Sequence, residues 1–142
     1  MFHLKALGMA ALAGVLLSGG ALAADRTPAP EGASVYIVSP ADGAAVSSPV
    51  TVVFGLKGMG VAPAGTDKEK TGHHHLIVDA PLPPADEPIP ADNQHIHFGG
   101  GQTEFVIELA PGSHTLQLLL GDLNHVPHDP VIASEPITIT VE

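Results

Sequence analysis

The chain has 142 residues, no cysteine and no tryptophan, with fifteen Asp and Glu against five Lys and Arg. Without cysteine it has no disulfide, and no thiolate to act as nucleophile, redox centre or metal ligand. Its acidic excess excludes nucleic acid and an anionic membrane surface as natural partners, and suits a cation.

The first residues read as an export signal. Lys5 gives a positive start, Leu7 to Leu17 an apolar run, and Ala21-Leu22-Ala23 a small-residue cleavage site. The run is too short and wrongly flanked for a permanent membrane helix, so an integral membrane protein is not expected. Residues 1–23 are therefore expected to be a signal peptide, leaving a periplasmic or secreted protein. The remaining chain, about 119 residues, is the size of one domain. All fifteen acids lie in it against Arg26, Lys57, Lys68 and Lys70, a net charge of −11 with neutral histidines. A bacterial periplasm allows disulfides without requiring them.

Residues 24–33, with Pro28, Pro30 and Gly32, read as a flexible linker with nothing to bury, and residues 34–142 as the folded domain. Val35 to Val38 is the first expected strand. Ser39 to Gly43 is a turn. From 50 to 56, Val50, Val52, Phe54 and Leu56 share one face at period two. A long glycine-containing loop follows, then a strand from His74 to Asp79. Residues 80–92 carry five prolines and the acids Asp86, Glu87 and Asp92, and cannot form a central strand. They read as a stiff, exposed crossing. His95 to Phe98 is a very short strand, and Gly99-Gly100-Gly101 a flexible turn. Residues 103–109 alternate again. His114 to Leu120 is the most apolar strand, expected to be central and buried on both faces. Ile137, Ile139 and Val141 alternate with Thr138 and Thr140 to close the chain. About seven short strands without helical periodicity predict an all-β fold, an immunoglobulin-like antiparallel β-sandwich.

Eight of the nine histidines follow the leader, seven of them in three groups: His73-His74-His75, His95 with His97, and His125 with His128. In a sandwich of this order the connections around 58–72, 99–102 and 121–136 lie at one end, so the three groups converge. Residues i and i+2 of a strand face the same side about 6.5–7 Å apart, which lets two imidazoles reach one ion. His73/His75 and His95/His97 have that spacing. His74 faces the opposite way, beside Leu76 and Val78, and His114 starts its strand at the far end in a structural role. Imidazole donors, with Asp79, Asp122 or Asp129 as candidate carboxylates, suit Cu(II), Zn or Ni. The core ligands expected are His75, His97, His125 and His128, with His73 and His95 accessory. The only methionine after the leader is Met59, which argues against a soft Cu(I) site. No serine-hydrolase elbow, zincin motif or phosphate loop is present.

Four stretches carry a family resemblance: Gly58 to Gly65, Gly72 to Leu76, His97 to Glu104, and His114 through Pro130. In these the chain resembles a family of small exported bacterial β-domains of unknown function, over almost all of its length after the leader. The resemblance implies a periplasmic β-domain and no established activity. Copper–zinc superoxide dismutase is similar in fold type and ligand type only, since the cysteine pair and the histidine spacing do not match. The leading expectation is a periplasmic metal-binding protein, holding a copper or zinc ion without catalysis. Two other readings stand beside it: an envelope protein-interaction module whose histidines are structural, with another envelope protein as partner, and a copper or zinc enzyme with an open coordination position.

Overall fold

In the computed structural model, residues 25–142 are described; the expected leader lies outside them. They form nine strands: β1 Ser34–Ser39, β2 Ala45–Val46, β3 Val50–Lys57, β4 Gly60–Val61, β5 Thr71–Val78, β6 His95–His97, β7 Glu104–Ile107, β8 Gly112–Gly121 and β9 Ile137–Val141. No helix occurs among the described residues. The seven expected strands are all present; β2 and β4 are two-residue additions at sheet edges.

The strands make two sheets, β1-β3-β7 and β2-β9-β8-β5-β4, with β6 also pairing β5. Val35, Val52 and Phe54 of the smaller sheet pack on Leu76, Leu116, Leu118, Leu120 and Ile139 of the larger. This is the β-sandwich that the period-two pattern predicts. In the constant-type immunoglobulin arrangement the fourth main strand joins the first sheet. Here β6 instead pairs antiparallel with β5, His97 opposite His75 and His95 opposite Ile77. That register brings the second histidine group beside the first.

Strand β5 is buried on both faces. His74, Leu76 and Val78 point into the sandwich, and the opposite face carries His73, His75 and Ile77. What covers that outer face corrects the reading of residues 80–92 as a wholly exposed crossing. Ile89 is buried against Ile77 and Leu119 in a second small core, with Ala80 and Ala133 at its edge. Proline stiffness and an anchored aliphatic side chain together hold the crossing over the sheet.

Residues 24–33 do not behave as a flexible linker where they are described. Thr27 and Ala29 are both tied to Asp129, which donates from its amide to the Thr27 carbonyl and accepts at its carbonyl from the Ala29 amide. Arg26 donates to the carbonyls of Pro127 and His128. The backbone of this half-buried segment finds partners on the 122–130 loop.

At the far end His114 is held as a lock. Its Nδ1 lies 2.6 Å from Asp79 Oδ2 and its Nε2 2.7 Å from the Ala110 carbonyl. The Asp79 hydrogen bond raises the ring's pKa. A group whose folded pKa is raised stabilises fully below its unfolded value, and that contribution fades as pH rises through the folded value. His114→Ala is therefore expected to lower stability by about 1–2 kcal/mol, more at pH 6 than at pH 9. Urea unfolding at the two pH values measures this; an equal loss at both would remove the ionic part of the lock.

Candidate metal centre

Four imidazoles meet on the outer face of the larger sheet. His73 and His75 come from β5, His97 from β6, and His125 from the loop after β8. One ring nitrogen of each lies within 4.8 Å of the others. His73 Nε2 is 3.1 Å from His125 Nδ1 and 3.2 Å from His97 Nε2. One nitrogen facing two others carries at most one proton, so it cannot complement both at once. A cation at the centre satisfies all the lone pairs together.

The sheet supplies room for the rings at two glycines. Gly121 stands opposite His73 in the β5–β8 register. A Cβ there would lie 2.8 Å from Cε1 of His75, closer than real contacts allow. A Cβ on Gly99 would collide with the His97 ring. Gly99 is thus a close-approach position rather than only a turn residue.

His125 is aimed by its loop. It adopts φ +66°, in the left-handed region. Asp122 Oδ1 accepts from the amides of Asn124 (2.8 Å) and Val126 (3.0 Å), and the Asp122 carbonyl accepts from the His125 amide. Thr27 Oγ1 donates to Asp122 Oδ2 at 2.7 Å, and the His125 carbonyl accepts from the Ile89 amide. Burial acts to raise the Asp122 pKa, but these hydrogen bonds outweigh it and hold the carboxylate ionised. Asp122, a candidate ligand by sequence, instead clamps the loop. Asp122→Ala is expected to weaken metal binding about 10–100-fold, whereas Asp122→Asn, which keeps the acceptor oxygen, should lose far less. Competition titration of the two variants measures the difference; equal losses would point to charge rather than loop geometry.

Burial, with the neighbouring rings, keeps His73, His75 and His97 neutral. Burial lowers the pKa of His73 to about 4, helped by His97 and His125 and opposed by Asp122. Burial, then the charges of His73, His97 and His125, takes His75 to about 3. Burial and His125 lower His97 as well. His73 and His75 are 1 % exposed, His125 is half-buried and His97 exposed, so an ion reaches the group from the His97 side.

The six histidines singled out by sequence divide. His73, His75, His97 and His125 come together; His95 and His128 do not join them. His95 sits two register positions along β6 from His97, opposite the apolar Ile77, and its Nδ1 is 2.8 Å from Asp92 Oδ1. His128 is fully buried beside a cavity of about 170 Å³ that Thr27, Met59 and Asp122 also line, and neither of its nitrogens has a hydrogen-bond partner among the described residues. The antiparallel bridge of Gly121 with Pro127 turns the loop so that its two histidines diverge. Asp79 and Asp129 are engaged elsewhere, with His114 and Arg26. His73, ranked as accessory, is the ring with two nitrogen contacts. The signal for it was its period-two relation to His75. His74 faces the core as expected, its ring centre 5.2 Å from that of Phe54, with both nitrogens unpartnered among the described residues.

The chain belongs to the family described as a domain of unknown function (DUF4399), which matches residues 52–142. No curated protein and no solved structure matches it. The matched span contains all four of the gathered histidines and both glycines that make room for them.

Proposed function

We propose that this is a periplasmic metal-binding protein that holds one copper or zinc ion through His73, His75, His97 and His125. The observation that carries the reading is the convergence of four imidazole nitrogens from three separate chain segments within 4.8 Å. Nitrogens about 2.0–2.1 Å from one ion and about 100° apart lie roughly 3.1 Å from one another, close to the 3.1 and 3.2 Å of the two short contacts. Neutral nitrogen donors without thiolate or thioether suit Cu(II) and Zn(II). Export to the periplasm rests on the order of residues in the leader.

The reading is tested on protein made without a histidine tag, by metal analysis and by titration with Cu(II) and Zn(II). One equivalent bound tightly at neutral pH is expected, with the stoichiometry lost in His73→Ala/His75→Ala. Retention of a full equivalent in that variant, with similar affinity, would return the histidines to a structural role.

A further inference from the structure

The six distances between the ring centres carry information beyond the presence of a site. An imidazole bound through nitrogen at about 2.0–2.1 Å has its ring centre about 3.2 Å from the ion. Four such rings around a tetrahedral ion would stand about 5.2 Å apart in every pair, and around a square-planar ion about 4.5 Å in four pairs and about 6.4 Å in two. The observed set fits neither. His73 stands 4.8 Å from His75, 5.0 Å from His97 and 5.1 Å from His125. His97 stands 5.1 Å from His75 and 4.7 Å from His125. His75 and His125 stand 6.4 Å apart.

One sphere passes through the four centres, with a radius of about 3.3 Å, which is the radius a bound ion requires. Seen from its centre, His75 and His125 are about 155° apart and every other pair about 90–105° apart, so the four rings leave an open sector on the side away from His73 and His97.

We infer that the ion held by these four histidines keeps one exchangeable position, between His75 and His125, for a small anionic donor of the hydroxide, azide or cyanide class. The inference rests on the metal-binding reading and adds to it a fifth ligand. All four protein donors are neutral imidazoles, so a divalent ion keeps its full charge and attracts an anion. The burial of His73 and His75 restricts the donor to a few atoms. The backbone sets where the two rings start. His75 lies in the centre of the sheet, where Gly121 leaves room for its ring, and the main chain of His125 is held by the Asp122 clamp and the Ile89 amide.

The test uses the whole mature chain loaded with one equivalent of Cu(II) and titrated with sodium azide at neutral pH. Bound copper is measured after each addition, and the electron paramagnetic resonance and near-ultraviolet spectra are followed. The expected result is a saturable azide-to-copper charge-transfer band and a shifted copper spectrum, with the full equivalent of copper retained. Unchanged spectra at large azide excess, with copper retained, would overturn the open position and leave the metal-binding reading standing. Failure to load copper at all would overturn both. Azide that only strips the copper, with no intermediate spectrum, also counts against the open position.

Discussion

Alanine in place of His125 is expected to weaken Cu(II) and Zn(II) binding by at least about a hundredfold, while alanine in place of His128 leaves affinity within a few-fold. The first expectation follows from position. His125 Nδ1 is one of the nitrogens closest to His73 Nε2, at 3.1 Å. Loss of a group that only orients a ligand costs about 10–100-fold, so loss of the ligand itself costs no less. The second follows from the bridge that turns His128 away into a fully buried place beside Asp122 and Thr27. Its loss is a stability effect: a buried ring leaves a hole, and about 2–4 kcal/mol is the usual range for such a truncation. Isothermal competition titration gives affinity, and denaturant unfolding of the metal-free variants gives stability. Tight binding by the His125 variant, or lost binding by a folded His128 variant, would reverse the assignment of the two loop histidines.

The contrast between these two residues shows where the sequence stopped being readable. The strands were legible because one face of each is buried, which imposes period two on β3, β7 and β9. The meeting of histidine groups was legible as well, since alternating strand direction brings those loops near one another. So was the face, because period two sets His73 and His75 opposite His74, Leu76 and Val78. What covers that outer face was not legible, because the cover is Ile89, a single apolar residue inside a proline-rich acidic segment. The choice between His125 and His128 was equally hidden. It depends on a left-handed φ at His125 and on Asp122 acting as an acceptor for backbone amides. The pattern Asp122-Leu123-Asn124 permits such a turn, but an aspartate beside histidines also reads as a ligand. The role of Gly99 and Gly121 in making room for rings depends on cross-strand neighbours, which local sequence does not name. For the same reason residues 25–33 read as linker, because their partners lie about a hundred positions away.

Acid is expected to unfold the metal-free protein between about pH 5 and 4, and saturating zinc to move that midpoint down by about one pH unit. His73 and His74 are held to about 4 and His75 to about 3, mainly by burial. Above the unfolded value of about 6.5, both states carry neutral rings and stability does not depend on them. Between 6.5 and the folded values the unfolded chain takes up protons that the folded one refuses. Stability then falls with pH by up to about 1.4 kcal/mol per unit for each ring. At pH 5 this is about 2 kcal/mol per ring, or about 6 for the three, against a typical 5–15 kcal/mol for a domain. His97 and His128 are shifted in the same direction and add to the loss; the raised His114 opposes it. Zinc binds the folded arrangement, and at a thousandfold excess over Kd it adds about 4 kcal/mol. Divided by a three-ring slope of about 4 kcal/mol per unit, that gives the one-unit shift. For the same reason protons should compete less with metal for His73 and His75 below pH 6 than they do for free imidazole. Circular dichroism during acid titration, with and without zinc, measures both midpoints. A fold unaffected from pH 7 to 4 would mean that the three rings are not buried neutral, and a midpoint unmoved by zinc would mean that no ion is held among the four.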